Sequence, residues 1–317
     1  MAVFLIRRLI GAIIVLAVVS VVVFAIFVLI PGGDPASRIA GRTANQESVE
    51  RVRHSFGFDK PAYVQYGRMM KQIFTADLTS YINRQNVVHE IVAGIPATFS
   101  LVIGAAVIWL FFGVLVGVLA AVTAGRWSDR AITILALIGI SMPVFWLGLV
   151  ARYVFAEGHP FSIFPDSGYV GLTDNPWQWF THLLMPWWVL AILFIGFYGR
   201  VMRSNILDTI NEDYVRTARA KGLPPRRVLV KHVVRNSLIP IITLFGLDFG
   251  ATIGGGAIIT ESVFDLKGVG WYAANAIGQL DLPPIMAVAL FGAFFIVLFS
   301  TLVDLAYAWL DPRIRPS

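Results

Sequence analysis

The chain has 317 residues, 57% of them hydrophobic and 14% charged, with a mean hydropathy of +0.74. Soluble domains carry roughly 25% charged residues, so this composition excludes an ordinary core-and-surface protein and demands a lipid-facing surface. The absence of cysteine excludes disulfides, thiolate chemistry and Cys-ligated metal centres, and the net charge of +6 sits beside apolar runs, which argues for membrane orientation rather than nucleic-acid binding.

Residues 1–30 read as a short basic tail and a first span. Leu9 to Ile30 is unbroken apolar sequence behind Arg7 and Arg8. The run exceeds the roughly 7–15 residues of a cleavable signal, so it reads as a retained helix entering from the cytoplasm. Pro31-Gly-Gly-Asp-Pro35 ends it. Residues 31–95 then form a small polar extracytoplasmic segment, too short for a large core of its own. Glu47 to Phe56 and Pro61 to Phe74 carry apolar residues at helical spacing within it. Tyr63, Tyr66, Met70 and Phe74 suit packing against helix ends ahead of a place at the membrane interface.

Residues 96–310 read as a five-helix core with spans at 96–124, 131–155, 182–201, 238–259 and 284–310, all long enough to cross a bilayer. Six spans put both termini on one side. Arg126, Arg130, Arg203, the basic residues of loop 202–237, and Arg313 and Arg315 of tail 311–317 fall on that side. Outer loop 157–181 has no Lys or Arg, and loop 266–283 has only Lys267. Such a bias places both termini in the cytoplasm. Trp177, Trp179, Trp187 and Trp188 suit headgroup anchoring ahead of stacking on a ligand. Arg152, Arg200 and Asp304 lie near span ends, where reaching toward the interface suffices.

Loop 202–237 carries two basic helical patterns around Leu223-Pro224-Pro225. Asp213 complements the positive end of the first helix dipole. Val215, Ala218 and Leu223 form a narrow apolar stripe. Gly222 stands where a helix C′ residue takes the left-handed conformation. Pro224 and Pro225 suit the first turn of the second helix, and Pro240 is expected to loosen or bend the fifth span. A charge anchor, an interfacial helix on anionic lipid and disorder are the alternatives. The paired patterns argue against disorder. Thr217, Ala218 and Ala220 are small enough to let another surface approach.

Arg216-Thr-Ala-Arg-Ala-Lys-Gly222, followed by Ser237-Leu-Ile-Pro240, resembles the EAA loop of permeases in binding-protein-dependent ABC importers. Ala218 and Gly222 match that pattern. Arg216 and Thr217 depart from it in the way the dipeptide and oligopeptide branch commonly does. Pro31-Gly-Gly-Asp-Pro35, Phe56-Gly-Phe-Asp-Lys-Pro61, Gln65-Tyr66, Asp77-Leu78, Ile95-Pro-Ala-Thr98, Gly254-Gly-Gly256, Thr260-Glu-Ser-Val-Phe264 and Gly268-Val-Gly270 also resemble that branch. Ala76 and Thr79 stand where it has glycines.

The resemblance implies an all-α membrane protein with six transmembrane helices and the type I ABC importer permease fold. It implies a pore subunit in a bacterial plasma (inner) membrane, moving dipeptides or oligopeptides. Nickel and glutathione importers share the architecture. The implied partners are a second homologous permease, two ABC ATPase subunits, an extracytoplasmic peptide-binding protein and the lipid bilayer, with no nucleic acid. No cofactor is expected in this chain, since ATP and Mg would be bound by the ATPases. The sequence has no Gly-x-x-x-x-Gly-Lys-Ser/Thr phosphate loop, so it reads as no enzyme. The resemblance assigns ATPase coupling to Arg216, Thr217, Ala218, Arg219, Ala220, Lys221, Gly222 and Leu223.

Ionisable residues inside spans are functional suspects. Asp248, near the middle of the fifth span, suits a peptide amino terminus or basic side chain as well as it suits a structural bond to a neighbouring helix. Glu261, near the outer end of that span, is a weaker candidate for the substrate path. No metal site is expected. A proton-coupled secondary transporter using Asp248 is a rival, but matching Gly/Pro-broken helices in two halves are not evident. A membrane hydrolase is another, but Pro143 stands where the nucleophile elbow around Ser141 needs glycine.

Overall fold

The computed structural model describes residues 2–29, 35–41, 44–158 and 160–310. Pro31 to Asp34, His159, Arg313 and Arg315 lie outside the described residues. Among those described, the chain is helical, with two isolated β-bridges, Thr79–Asn86 and Ala156–Phe164. Ile6–Phe27 within α1 (Ala2–Leu29), α5 (Val87–Val122), α8 (Pro176–Thr209), the continuous helix Pro225–Gly256 and Leu282–Leu305 within α14 (Leu282–Leu310) are each long and apolar enough to cross a membrane. Helices α6 (Trp127–Ser141) and α7 (Val144–Phe155) reach that length and apolarity only as a pair, which is bent by 99°.

That bend corrects the expectation of one straight span over 131–155. Pro143 offers no backbone N–H and pushes the residue before it out of the α region, and Met142 has extended φ/ψ of −79° and 126°.

The other helices outrun their apolar sequence because polar residues cap them. Asn86 accepts a bond from His89 N, which starts α5 at Val87 rather than at 96. Asn175 accepts from Trp177 N and Gln178 N, with Pro176 in the first turn, so α8 starts well before 182. At its other end α8 runs on to Thr209, so loop 202–237 is shorter than its polar sequence suggests.

The second basic helix and the fifth span are one 32-residue helix rather than two. It comprises α10 (Pro225–Arg227), a π-helical stretch Val228–Val234, α11 (Arg235–Ala251) and a second π-helical stretch Thr252–Gly256. Pro240 lies inside α11 without breaking it. The irregularity falls instead in the wider π turns and at Gly255, whose φ of +151° kinks the helix end.

The largest interface is α5 against α8. Gly117 lies so close to α8 that an added Cβ would sit 2.5 Å from Met202 Cβ, and a Cβ on Gly104 would overlap the Trp187 ring. Trp109 stacks on Phe194 at 4.4 Å and is fully buried. Small residues let such helices approach until van der Waals packing holds them, because lipid supplies no hydrophobic drive between spans.

Helix α1 joins the bundle against α14, where Arg8 pairs with Asp304. Asp304 is therefore tied to a neighbouring helix rather than merely reaching for the interface. Tyr66 of α4 (Ala62–Phe74) shares a hydrogen bond of 2.7 Å with Ser20 and stacks edge-on with Phe24, which fixes α4 to α1. Tyr63 and Phe74 are exposed, so packing claims Tyr66 but not those two. Phe56 of α3 (Gln46–Phe56), Phe58 and Tyr81 form an aromatic cluster. Buried Asp281 accepts from Ser80 Oγ and Tyr81 N. Burial, with Asp281 nearby, pushes the Tyr81 phenol up to about 12, so it stays protonated.

Arg152 also does more than reach for the interface. It makes a forked pair with Asp166 and donates from Nη1 to Val263 O at 2.6 Å, which draws loop 157–175 onto the bundle. Trp187 and Trp179 turn inward as well, donating to Ser100 O and Ser100 Oγ, while Trp177 is exposed. Headgroup anchoring therefore suits Trp177 but not Trp179 or Trp187.

Ala76 occupies the left-handed region at φ +56°, in the turn where the resembling branch has glycine. A Cβ costs roughly 1–2 kcal/mol there. Ala76→Gly is expected to raise the thermal unfolding midpoint of the purified protein, by the equivalent of about 0.5–1 kcal/mol after the entropy of the unfolded glycine is subtracted. A lowered midpoint would contradict a strained alanine.

Candidate functional site

Helix α9 (Asp213–Ala220) hangs between the end of α8 and Pro225. Val215 and Ala218 are buried and Leu223 is partly covered, all packed on the core shared with Ile206, Val228 and Val233. Arg216, Thr217, Arg219, Ala220 and Lys221 are exposed on the other side. The ion pair of Arg216 with Asp213 is 3.5 Å long and open to water, so it contributes little. Gly222 has φ +73° and donates to Arg219 O, and Leu223 N donates to Ala218 O. No heavy atom lies within 4 Å of where a Gly222 Cβ would stand. The requirement for glycine is therefore conformational rather than steric.

Four polar residues that sequence reasoning missed lock this segment in place. Asn236 Nδ2 donates to Tyr214 Oη at 2.8 Å and to His232 O at 3.0 Å. Ser237, buried, donates to Val233 O, and Asn205 Nδ2 of α8 donates to Ser237 O. Tyr214 stands between Asp213 and Val215, Ser237 opens the Ser237–Pro240 stretch, and Asn236 precedes it. No residue pattern announces their pairing, because it joins α9, α8 and the long helix across the fold. These hydrogen bonds and shared core contacts join α9 to the helix Pro225–Gly256.

Asp248 lies on that same helix. Its Oδ2 accepts from Tyr198 Oη of α8 at 2.8 Å, and its main-chain oxygen accepts from Thr252 Oγ1. The residue is only partly buried. It thus has the structural partner foreseen as one alternative, and it is not fully enclosed. Tyr198 is a further missed residue, buried beside Trp109 and Phe194.

Glu261 is placed differently from expectation. It sits in α12 (Ile258–Val263), wholly buried, beyond the Gly255 kink. Its Oε2 accepts from Trp271 N at 2.9 Å, and Thr98 Oγ1 accepts from Val269 N at 2.9 Å. The two side chains thereby cap the start of α13 (Val269–Gln279), where a carboxylate complements the helix dipole. Gly268 is required by proximity, since a Cβ there would meet Glu261 and stand 2.6 Å from Thr98 Oγ1. This geometry gives Glu261 a holding role at the start of α13. Asp248 and Glu261 are bonded to different elements and form no common site. Among the described residues, no group of three or more His, Asp or Glu could hold a metal ion.

Residues 113–316 match the family described as binding-protein-dependent transport system inner membrane component, and residues 1–102 match the N-terminal family of such membrane components. A putative peptide transport system permease protein of Brucella abortus is 38% identical over 316 residues, covering 99% of each chain. The probable D,D-dipeptide transport system permease protein of Escherichia coli is 38% identical, covering 96% of this chain and 95% of its own. A glutathione transport system permease protein of Salmonella paratyphi A is 35% identical, with 98% of each covered. The crystal structure of an amino acid ABC transporter with histidines aligns with 70% of this chain and 94% of its own, at a TM-score of 0.50 and 16% identity, which shows a shared fold. The chain belongs to the binding-protein-dependent transport system inner membrane components, the membrane permeases of ABC importers.

Proposed function

We propose that this chain forms, with a second related permease, the transmembrane path of an importer for dipeptides or oligopeptides. Separate ATPases drive it through α9, and an extracytoplasmic protein delivers the peptide. Relatives named as peptide and D,D-dipeptide permeases, aligned over nearly their whole length, support the substrate class. The relative named for glutathione keeps a second reading open, a small thiol peptide carried by the same architecture. Both termini and α9 face the cytoplasm of a bacterial cell in this reading, on the strength of the basic residues that flank the spans.

The observation that carries the mechanism is the bonding of α9 to the helix Pro225–Gly256. An ATPase surface gripping Arg216 to Leu223 would have an exposed, small-residue face to hold and a buried stripe that prevents α9 from sliding freely. Its motion would reach Asp248 along one helix. There the carboxylate, oriented by Tyr198, offers a place for the ammonium group of a passing peptide. Glu261 and Thr98 keep α13 seated at the outer end while this happens.

Three outcomes test this reading in the reconstituted complex. Gly222→Val, which cannot adopt φ +73° cheaply, should leave ATP hydrolysis running while peptide uptake falls by about tenfold or more, the equivalent of about 1.4 kcal/mol. Gly222→Asn, which tolerates that conformation, should retain most uptake, and equal loss in both would remove the backbone argument. Asp248→Asn should raise the half-saturating concentration for peptides with a free amino terminus and leave N-acetylated peptides unaffected; identical transport of both by wild type and variant would remove the ammonium contact. Glu261→Ala should lower the melting temperature and uptake together for every peptide. Altered peptide preference at unchanged melting temperature would instead place Glu261 on the path.

A further inference from the structure

The start of α6 and the end of α8 border an open cleft of about 860 Å³, near the end of α8 from which α9 hangs. Arg130, Arg200 and Arg203 line it, together with Ile134, Ile140 and Phe197. Arg203 is fixed in place: Nε and Nη2 donate to the two oxygens of Asp129 at 2.7 and 2.8 Å, and Gly125 N holds the same carboxylate at 3.0 Å. That pair is neutral as a unit. Arg130 and Arg200 are exposed and have no ion pair among the described residues, so the cleft carries two uncompensated positive charges.

The order of side chains along the two helices is what identifies a ligand. Helix α6 enters the bundle from Arg130 toward Ile134 and Ile140, and α8 runs back from Arg203 and Arg200 to Phe197. Charge therefore lies at one end of the cleft and apolar wall at the other, in the same direction on both helices. Ile134 and Phe197 are 56% and 41% exposed, so the apolar end is open to whatever surrounds the span. A free anion has no use for that wall, and a neutral lipid has none for two guanidinium groups. Guanidinium pairs with phosphate through directed, charge-assisted hydrogen bonds, and basic clefts between spans suit anionic headgroups.

We propose that this cleft binds one anionic phospholipid of the leaflet facing α9, with its phosphate held by Arg130 and Arg200 and an acyl chain along Ile134, Ile140 and Phe197. The lipid bridges α6 to α8 and so braces the end of α8 from which α9 hangs. The ligand is structural to the cycle rather than transported.

The test uses the assembled importer, purified and exposed to phosphatidylglycerol or phosphatidylcholine, with retained lipid counted by native mass spectrometry. Wild type should retain phosphatidylglycerol preferentially. Arg130→Gln and Arg200→Gln should each weaken that preference about fivefold, and Arg226→Gln, which removes one charge away from the cleft, should leave it unchanged. A photoactivatable phosphatidylglycerol on unmodified wild type should label peptides containing Ile134 or Phe197, which keeps the proposal testable if the variants fail to assemble. Unchanged lipid retention in both variants, labelling confined to other helices, or displacement of the lipid by inorganic phosphate alone would overturn it. Loss of the second permease without loss of lipid would overturn it too, since the surface would then be a subunit contact.

Discussion

Close contact between α5 and α8 is the constraint on which the rest of the structure depends. In lipid, a span gains little from hiding apolar surface, so two helices stay together only if their backbones come near enough for dense packing. Glycines at 104 and 117 of α5 allow that approach against Trp187 and Met202. The interface then defines both ends of the machinery. At one end α5 presents Thr98 to the start of α13. At the other, α8 presents Asn205 and the chain end from which α9 is suspended. In between, it holds Tyr198 toward Asp248.

The second organising element is the helix from Pro225 to Gly256. Its regular centre lies between two π-helical stretches, and its C-terminal end is kinked at Gly255. Gly254 and Gly292 cross so tightly there that neither has space for a side chain. A rod with one end fastened to α9 and the other ending in a kink suits transmission of a small displacement, because packed elements shift between discrete arrangements rather than deforming continuously. Side chains bond into the first irregular stretch, Asn236 to His232 O and Ser237 to Val233 O.

Most of the architecture was legible in the sequence. The runs of apolar residues identified the spans, because hydrocarbon tolerates only backbone that is satisfied within its own helix. The left-handed turn at Gly222 and the apolar stripe of Val215 and Ala218 were also legible, since both follow from local backbone preference and helical period. The bend at Pro143 was missed because an apolar run looks the same whether straight or broken. The joining of the second basic helix to the fifth span was missed because polar composition marks where water begins, not where a helix ends. The interfacial roles first read for Arg152, Asp304, Trp179 and Trp187 followed from position near a span end, which carries no information about a partner on another helix.

By itself, then, the sequence determined what is local: which segments are helical and apolar, where charge accumulates, and where the chain needs glycine. Tertiary structure alone decided which polar groups meet. The bonds of Asp248 to Tyr198, Glu261 to Trp271 and Asn236 to Tyr214 join residues on different elements. The physical reason is that helix periodicity reports the face a residue occupies, whereas its partner depends on the crossing and rotation of another helix. That crossing is set by side-chain shape at the contact, a property of two surfaces together and not of either segment read alone.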